Sequence, residues 1–235
     1  MPVTLYDLVG SDASRPFSPH CWKVRLALLH KGLPLQAVPT SFTAIPAVEG
    51  GASTIIPVIR DGDAVVSDSF AIAEYLERTY PDRPTLFGGE GGRASARFVE
   101  AYSNTMLHPL IAVCAAPDIH DMLDPADQIY FRQSREKRFG RPLEALRDGR
   151  AEAREALQAR LGVVREVLKR QPFLSGDAPL FTDYIVFSAF QWARITTPLE
   201  LLDADDPVFA WFERCLDLHG GAGRSVDAAQ DREAA

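Results

Sequence analysis

Phe17-Ser18-Pro19-His20-Cys21-Trp22-Lys23-Val24-Arg25 is the stretch on which the fold turns. Serine is favoured just outside a helix and proline at its first position, so these residues predict a helix from Ser18 to Lys31 that Gly32 stops. Before it, Val3 to Leu8 reads as a strand. After it, Leu35 to Val38 reads as a second one. Ile55 to Arg60 and Ala64 to Val66 flank Asp61-Gly62-Asp63, a hairpin signal. Asp68 to Tyr80 has a helical pattern, and Pro81 stops it. The order is β-α-β, an irregular segment, then β-β-α. Strands joined through a helix pair in parallel, and hairpin strands pair antiparallel. A mixed sheet with helices packed on it follows.

The quoted stretch also places chemistry. Free backbone N–H groups and the positive end of the dipole gather at a helix start. A thiolate held beside Ser18 is stabilised there, and the serine hydroxyl can donate to it; simple capping is the other local reading. In Ile55-Ile56-Pro57-Val58-Ile59 the proline costs a ladder bond within a strand but is tolerated where one begins. A cis bond there turns the Ile56 backbone outward, where it can pair with a peptide-like ligand as a short strand would. A trans proline at an ordinary strand start fits the same letters. Asp68-Ser69 opens the next helix. Its free amides and hydroxyl suit a carboxylate, and Asp68 suits an ammonium, with capping again the alternative.

Farther out the character changes. Residues 81–93 carry proline and glycine at linker density. Beyond them strand signals vanish. Leu143, Leu146, Ala153, Leu157, Leu161, Val164 and Leu168 form the apolar stripe of one long helix. Asp124-Pro125 marks another helix start, and Asp183 to Arg194 and Pro207 to Leu218 give two more helices. The division read from the letters is an α/β unit over 1–80, a linker over 81–93, an all-α unit over 94–219 and a frayed tail over 220–235.

Composition narrows the function. The 235 residues are 46% apolar and 24% charged, ordinary for a globular chain. With 25 basic against 32 acidic residues the net charge is -7, which disfavours broad binding to nucleic acid or an anionic membrane. Cys21, Cys114 and Cys215 are too sparse for a disulfide framework. The five histidines, His20, His30, His108, His120 and His219, show no metal spacing, and there is no Gly-rich phosphate loop. Met1-Pro2-Val3-Thr4 lacks the regions of a signal peptide, so the chain reads as cytoplasmic.

A helix start, a proline strand and a second helix start, in this order, resemble those of a thioredoxin-like domain. With a linker and a helical half behind them, nearly the whole chain resembles the glutathione transferases. Thr4-Leu5-Tyr6-Asp7-Leu8, Ser18-Pro19-His20-Cys21-Trp22-Lys23, His30-Lys31-Gly32, Ile72-Ala73-Glu74-Tyr75-Leu76 and Tyr80-Pro81-Asp82-Arg83-Pro84 are similar to the bacterial β-aryl-etherase group and its fungal etherase-related relatives. The resemblance implies glutathione as cosubstrate, with no metal. Ser18 matches the catalytic position, Ile56 and Pro57 the pair that binds the cysteinyl part, and Asp68 and Ser69 the pair at the γ-glutamyl end. It implies a homodimer and a small aromatic electrophile in a cleft between domains, lined by helix residues such as Tyr102 and Met106. The implied reaction is thiolate attack, including displacement of an aryloxide from a β-aryl ether. A glutathione-dependent isomerase, a general conjugating enzyme and a ligandin-like binder of aromatic molecules are the alternatives.

Other residues read as structural. Tyr6 reads as packing, Cys21 as a helix-face residue, and Arg132, Arg135, Lys137 and Arg138 as a solvated basic face. Two departures from the family stand out. From Leu33 to Ile59 there is no Lys, Arg or His to meet the glycine carboxylate of glutathione. Ser53, Thr54, a backbone amide, Arg15, His20 or Lys23 must stand in. The Ser/Thr-x-x-Asp capping box of a core helix is half missing, because Leu180 precedes Asp183, a loss of about 1 kcal/mol.

Overall fold

A computed structural model describes residues 2–233. Its N-terminal half holds β1 (Val3–Leu8), α1 (Pro19–His30), β2 (Leu35–Thr40), β3 (Val58–Asp61), β4 (Ala64–Ser67) and α2 (Ser69–Thr79). The sheet order is β2-β1-β3-β4, with β1 and β2 parallel and the other pairs antiparallel. This is the mixed sheet that the connections require. β3 is shorter than the apolar run from Ile55 to Arg60, since the segment through Pro57 has no ladder bond to give. Val58 pairs with Tyr6 on one side and Ser67 on the other. The end of β1, the start of β3 and the end of β4 therefore meet at one edge of the sheet. The chain that follows β1 carries Ser18, the chain before β3 carries Ile56 and Pro57, and the chain after β4 carries Asp68 and Ser69.

The C-terminal half is helical: α3 (Glu90–Tyr102), α4 (His108–Asp121), α5 (Pro125–Phe139), α6 (Arg150–Arg160), α7 (Gly162–Leu168), α8 (Phe181–Thr196) and α9 (Pro207–Leu216). Helix α8 is apolar on nearly every side and packs against α1, so it is the axis on which both halves close, as an all-round hydrophobic helix must be. Asp183 fixes its start. Its carboxylate, fully buried, accepts from the N–H groups of Leu174 (2.7 Å), Ser175 (3.2 Å) and Leu180 (3.2 Å) and from the Trp211 indole (3.0 Å). The leucine at position 180 cannot return a side-chain bond, so half the capping box is absent. The loop and Trp211 replace it with three further donors.

A polar chain joins the halves. His30 Nε2 lies 2.9 Å from Thr85 O, a pure acceptor, so Nε2 carries the proton. His30 Nδ1 then accepts from the Tyr184 hydroxyl at 2.7 Å, and Tyr184 accepts from His219 Nε2 at 2.9 Å.

Three expectations are corrected. The glycine-rich segment is not slack. Phe87 is buried between Phe70 and Phe181, and α3 already begins at Glu90. Gly92 is required because a Cβ there would sit 1.7 Å from Phe87 O. The stripe from Leu143 to Leu168 is buried as read through Val164, with Leu168 partly so, but it runs over a 3₁₀ segment (Glu144–Gly149), α6 and α7. Gly149 and Gly162 interrupt what would be one helix. The tail is docked at its start: Gln191 Nε2 donates to Gly223 O at 2.7 Å and Arg194 Nη1 to Val226 O at 2.7 Å. A short helix, Ala229–Glu233, follows.

Truncating the Asp183 carboxylate leaves four buried donors unpaired, at ~1–3 kcal/mol each before relaxation. Asp183→Ala is expected to lower stability by about 3 kcal/mol or more, read as a fall in the urea midpoint. An unchanged midpoint would show that the loop re-pairs its donors elsewhere.

Candidate functional site

The helix start built by Ser18-Pro19 has the local geometry its letters call for. Ser18 is extended (φ -62, ψ 126), and its Oγ accepts from the Cys21 N–H at 3.3 Å. Pro19 has no N–H to leave unpaired. The His20 N–H makes no hydrogen bond with any described residue, as expected in a first helical turn. Accepting from Cys21 uses a lone pair of the Ser18 oxygen and leaves its O–H proton available. Two donors, the hydroxyl and an amide, thus stand at the positive end of α1.

Ser18 opens onto a cleft of about 400 Å³. Ile56 and Thr54 form part of the same wall, and the Ile56–Pro57 peptide is cis. The opposite wall is helical: His108 and Asn104, Trp192 from α8, and Phe131 and Arg135 from α5. Helix α5 is held against the N-terminal half by Asp127, whose buried carboxylate accepts from the N–H groups of Phe42 (2.7 Å) and Thr43 (2.9 Å).

Asp68 and Ser69 lie at the same sheet edge but outside this cleft. Asp68 has φ 74, a region that ordinary side chains rarely occupy. Its Oδ1 accepts from the Phe70 and Ala71 N–H groups at 3.0 and 2.9 Å, which secures the start of α2. Its other oxygen is not used in either bond, and the side chain is exposed. Ser69 is buried beneath it.

The helical wall is not lined by the two residues expected. Tyr102 turns away from the cleft and donates to Arg160 O at 2.5 Å on α6. Met106 is 41% exposed and does not line the cleft. The stripe that does is Asn104, His108, Ala112 and Ala116, an i, i+4 series displaced by two positions from Tyr102 and Met106. Pro109 cannot donate to the carbonyl four residues back, and a π turn over Ser103–Leu107 forms there and shifts the helix register. The basic run also divides. Arg132 pairs with Glu136 and Glu144 in solvent, whereas Arg135 and Arg138 line the cleft.

Among the stand-ins for a glycine-carboxylate partner, most are occupied. Arg15 Nη2 donates to Ile195 O at 2.7 Å in the core. Lys23 is buried and lies 3.4 Å from Glu100. Ser53 Oγ bonds within its own turn, at 2.9 Å from Ile55 O and 3.1 Å from Ile55 N. Thr54 and His20 reach the cleft. Tyr6 donates its hydroxyl to Glu49 and does not line the cleft. Cys21 is fully buried, its Sγ 3.9 Å from Tyr6 O, and burial followed by the Asp7 charge pushes its thiol well above the ordinary range. Such a thiol is inert at neutral pH. No group of three described His, Cys, Asp or Glu side chains has the spacing to hold a metal ion.

The cleft histidines are neutral. The Lys23 ammonium only donates, so His20 Nδ1, 3.2 Å away, accepts, and the proton sits on Nε2. Burial, then Lys23 and His108, hold His20 well below its ordinary range. Burial, then Lys23 and Arg138, push His108 down to about 3.

A family model described as "Glutathione S-transferase, N-terminal domain" matches residues 13–84, and one described as "Glutathione S-transferase, C-terminal domain" matches residues 94–212. Among curated proteins, the chain is 26% identical to the glutathione S-transferase-like protein ustS of Aspergillus flavus, over 82% of this chain and 80% of that one. Among solved structures, it superposes on glutathione transferase GSTFuA3 of Phanerochaete chrysosporium with a TM-score of 0.76 and 29% identity, covering 100% of this chain and 96% of that one. The glutathione S-transferase CsGST63524 of Ceriporiopsis subvermispora, solved in complex with glutathione, gives a TM-score of 0.74 at 25% identity, covering 95% and 94%.

Four histidines, His20, His30, His108 and His219, are held below 6.5, chiefly by burial. The unfolded chain takes up protons that the folded chain refuses. Their contribution to stability is complete above pH 6.5 and is lost as pH falls toward the depressed values, about 3 for His108. One such fully buried group contributes a slope of up to ~1.4 kcal/mol per pH unit. The urea midpoint is expected to fall between pH 7 and pH 5, offset in part by Asp7 and Asp183, whose carboxyls burial raises. His108→Gln should flatten part of that fall. A midpoint independent of pH across this window would contradict neutral, buried imidazoles.

Proposed function

The chain belongs to the glutathione S-transferase family, and from that premise we propose that it activates glutathione as a thiolate for attack on an aromatic electrophile. The convergence of Ser18, Ile56–Pro57 and Asp68–Ser69 on one sheet edge, beside a cleft that ends in aromatic rings, carries this reading. Ile56 pairs its backbone with the cysteinyl unit. Asp68 meets the γ-glutamyl ammonium through its unused oxygen. Ser69, through its hydroxyl and its own amide, meets the γ-glutamyl carboxylate. Ser18 and the His20 amide then face the sulfur.

A free thiol titrates near 8.5, so only a few per cent is thiolate at neutral pH. Each unit of downward shift is about 1.36 kcal/mol. One charge-assisted hydrogen bond plus the helix dipole is of that order. The thiol proton goes to solvent; the carbon–sulfur bond forms as the bond to the leaving group breaks at a saturated carbon, or before it breaks at an aryl carbon, and the leaving group departs with the bonding pair. Where the acceptor is a β-aryl ether, the leaving group is an aryloxide that takes its proton from solvent. Likeness to the etherase group supports that substrate. Likeness to the glutathione transferases supports a homodimer.

Turnover of a chloronitrobenzene with glutathione separates an enzyme from a protein that only holds aromatic molecules. Ser18→Ala is expected to lower that turnover about tenfold at neutral pH, and Cys21→Ala to leave it within twofold. Ser69→Ala should weaken glutathione binding several-fold or more by calorimetry with the fold intact, since such bonds contribute ~1.5–3 kcal/mol. Equal affinity in wild type and Ser69→Ala removes Ser69 from the site. Loss of all turnover in Cys21→Ala moves the catalytic role one turn along α1.

A further inference from the structure

The charge distribution of the cleft is out of keeping with the chain. The protein has 32 acidic residues and a net charge of -7, yet no Asp or Glu is among the described residues that line this cleft. Its histidines are neutral. Arg135 and Arg138 are thus its ionised side chains, and neither forms an ion pair with a described carboxylate.

Their placement is unfavourable without a ligand. They are three residues apart on α5, where like charges repel. Arg135 is half-buried, its guanidinium 4.6 Å from the Phe131 ring centroid and 5.7 Å from that of Phe42. Burial and then the Arg138 charge lower its pKa. Ring faces offset part of a guanidinium's desolvation, and an oxyanion offsets far more. Arg138 also depresses His108, which sits against Trp192 with its Nε2 buried and unpartnered. The Arg138 charge therefore reaches the helical wall that faces Ser18, not only solvent. Paired donors of this type recognise planar oxyanions.

We propose that Arg135 and Arg138 form a carboxylate-binding subsite on the helical wall, and that the acceptor of this cleft is an aromatic carboxylic acid. The aromatic body packs on Phe42, Phe131 and Trp192 while the acid group reaches the arginines. The inference rests on the cleft being the acceptor site, but it concerns binding and not turnover.

The test uses an unreactive pair, 3-nitrobenzoate and methyl 3-nitrobenzoate, with calorimetry on the full chain. Wild type is expected to bind the acid at least tenfold tighter than the ester, with added salt weakening only the acid. Arg138→Met, at an exposed position, and Arg135→Met, which keeps contact with the rings, should each abolish most of that preference. Arg135→Lys should retain part of it. Glutathione affinity should stay within twofold in all three variants. Equal binding of acid and ester by wild type overturns the proposal. So does a fall in glutathione affinity with the acid preference unmoved, since the arginines would then hold the glycine end of glutathione. Because neither probe can react, the result stands whether or not the protein turns over a chloronitrobenzene.

Discussion

Val58 pairs with Tyr6 on one side and with Ser67 on the other, and the site depends on that double register. A one-residue slip of β3 would turn each of its side chains to the other face and draw the Pro57 turn away from the other two segments. In register, three stretches far apart in sequence finish at one sheet edge. Each ends in backbone groups that the sheet or helix cannot satisfy internally. A ligand with a peptide backbone, an ammonium and carboxylates matches that supply of donors and acceptors.

The second wall of the cleft has a different origin. Helix α8 packs on α1, and Asp183 holds its start with four buried donors. Asp127 separately ties α5 to the segment at Phe42 and Thr43. The cleft is the space left between an edge fixed by strand register and helices fixed by two buried carboxylates. The same construction explains why its histidines are neutral and why its arginines pair with no described carboxylate. Glu100, for one, is committed to a structural bond with Lys23.

The N-terminal half was legible because its signals are local. Ser18-Pro19, Asp61-Gly62-Asp63 and Asp68-Ser69 each dictate a turn or helix start from a few adjacent residues. Placement of the helical wall was not, because it depends on tertiary register. Tyr102 and Met106 have the same spacing as Asn104 and His108, and only the π turn before His108 selects the second pair. The sequence does carry one signal for this wall. Arg132 has Glu136 four residues on, whereas Arg135 and Arg138 have no acidic residue at helical spacing and share a face with Phe131 and Phe139. Glycine was misleading in the opposite sense. The segment around Gly92 and the tail around Gly223 read as loose, yet each glycine is there because another group approaches too closely for a side chain.

In the proposed reaction, the start of α1 is the place where a thiol loses its proton. The most direct measurement is the thiolate absorbance of bound glutathione followed against pH, in wild type and in Ser18→Ala. The midpoint in wild type should lie one to two units below the free value of about 8.5, and Ser18→Ala should raise it by about one unit. The same depressed midpoint in both proteins would contradict the role of the hydroxyl and leave the amides and the helix dipole as the stabilisers. A midpoint at the free value in wild type would contradict thiolate activation at this site altogether.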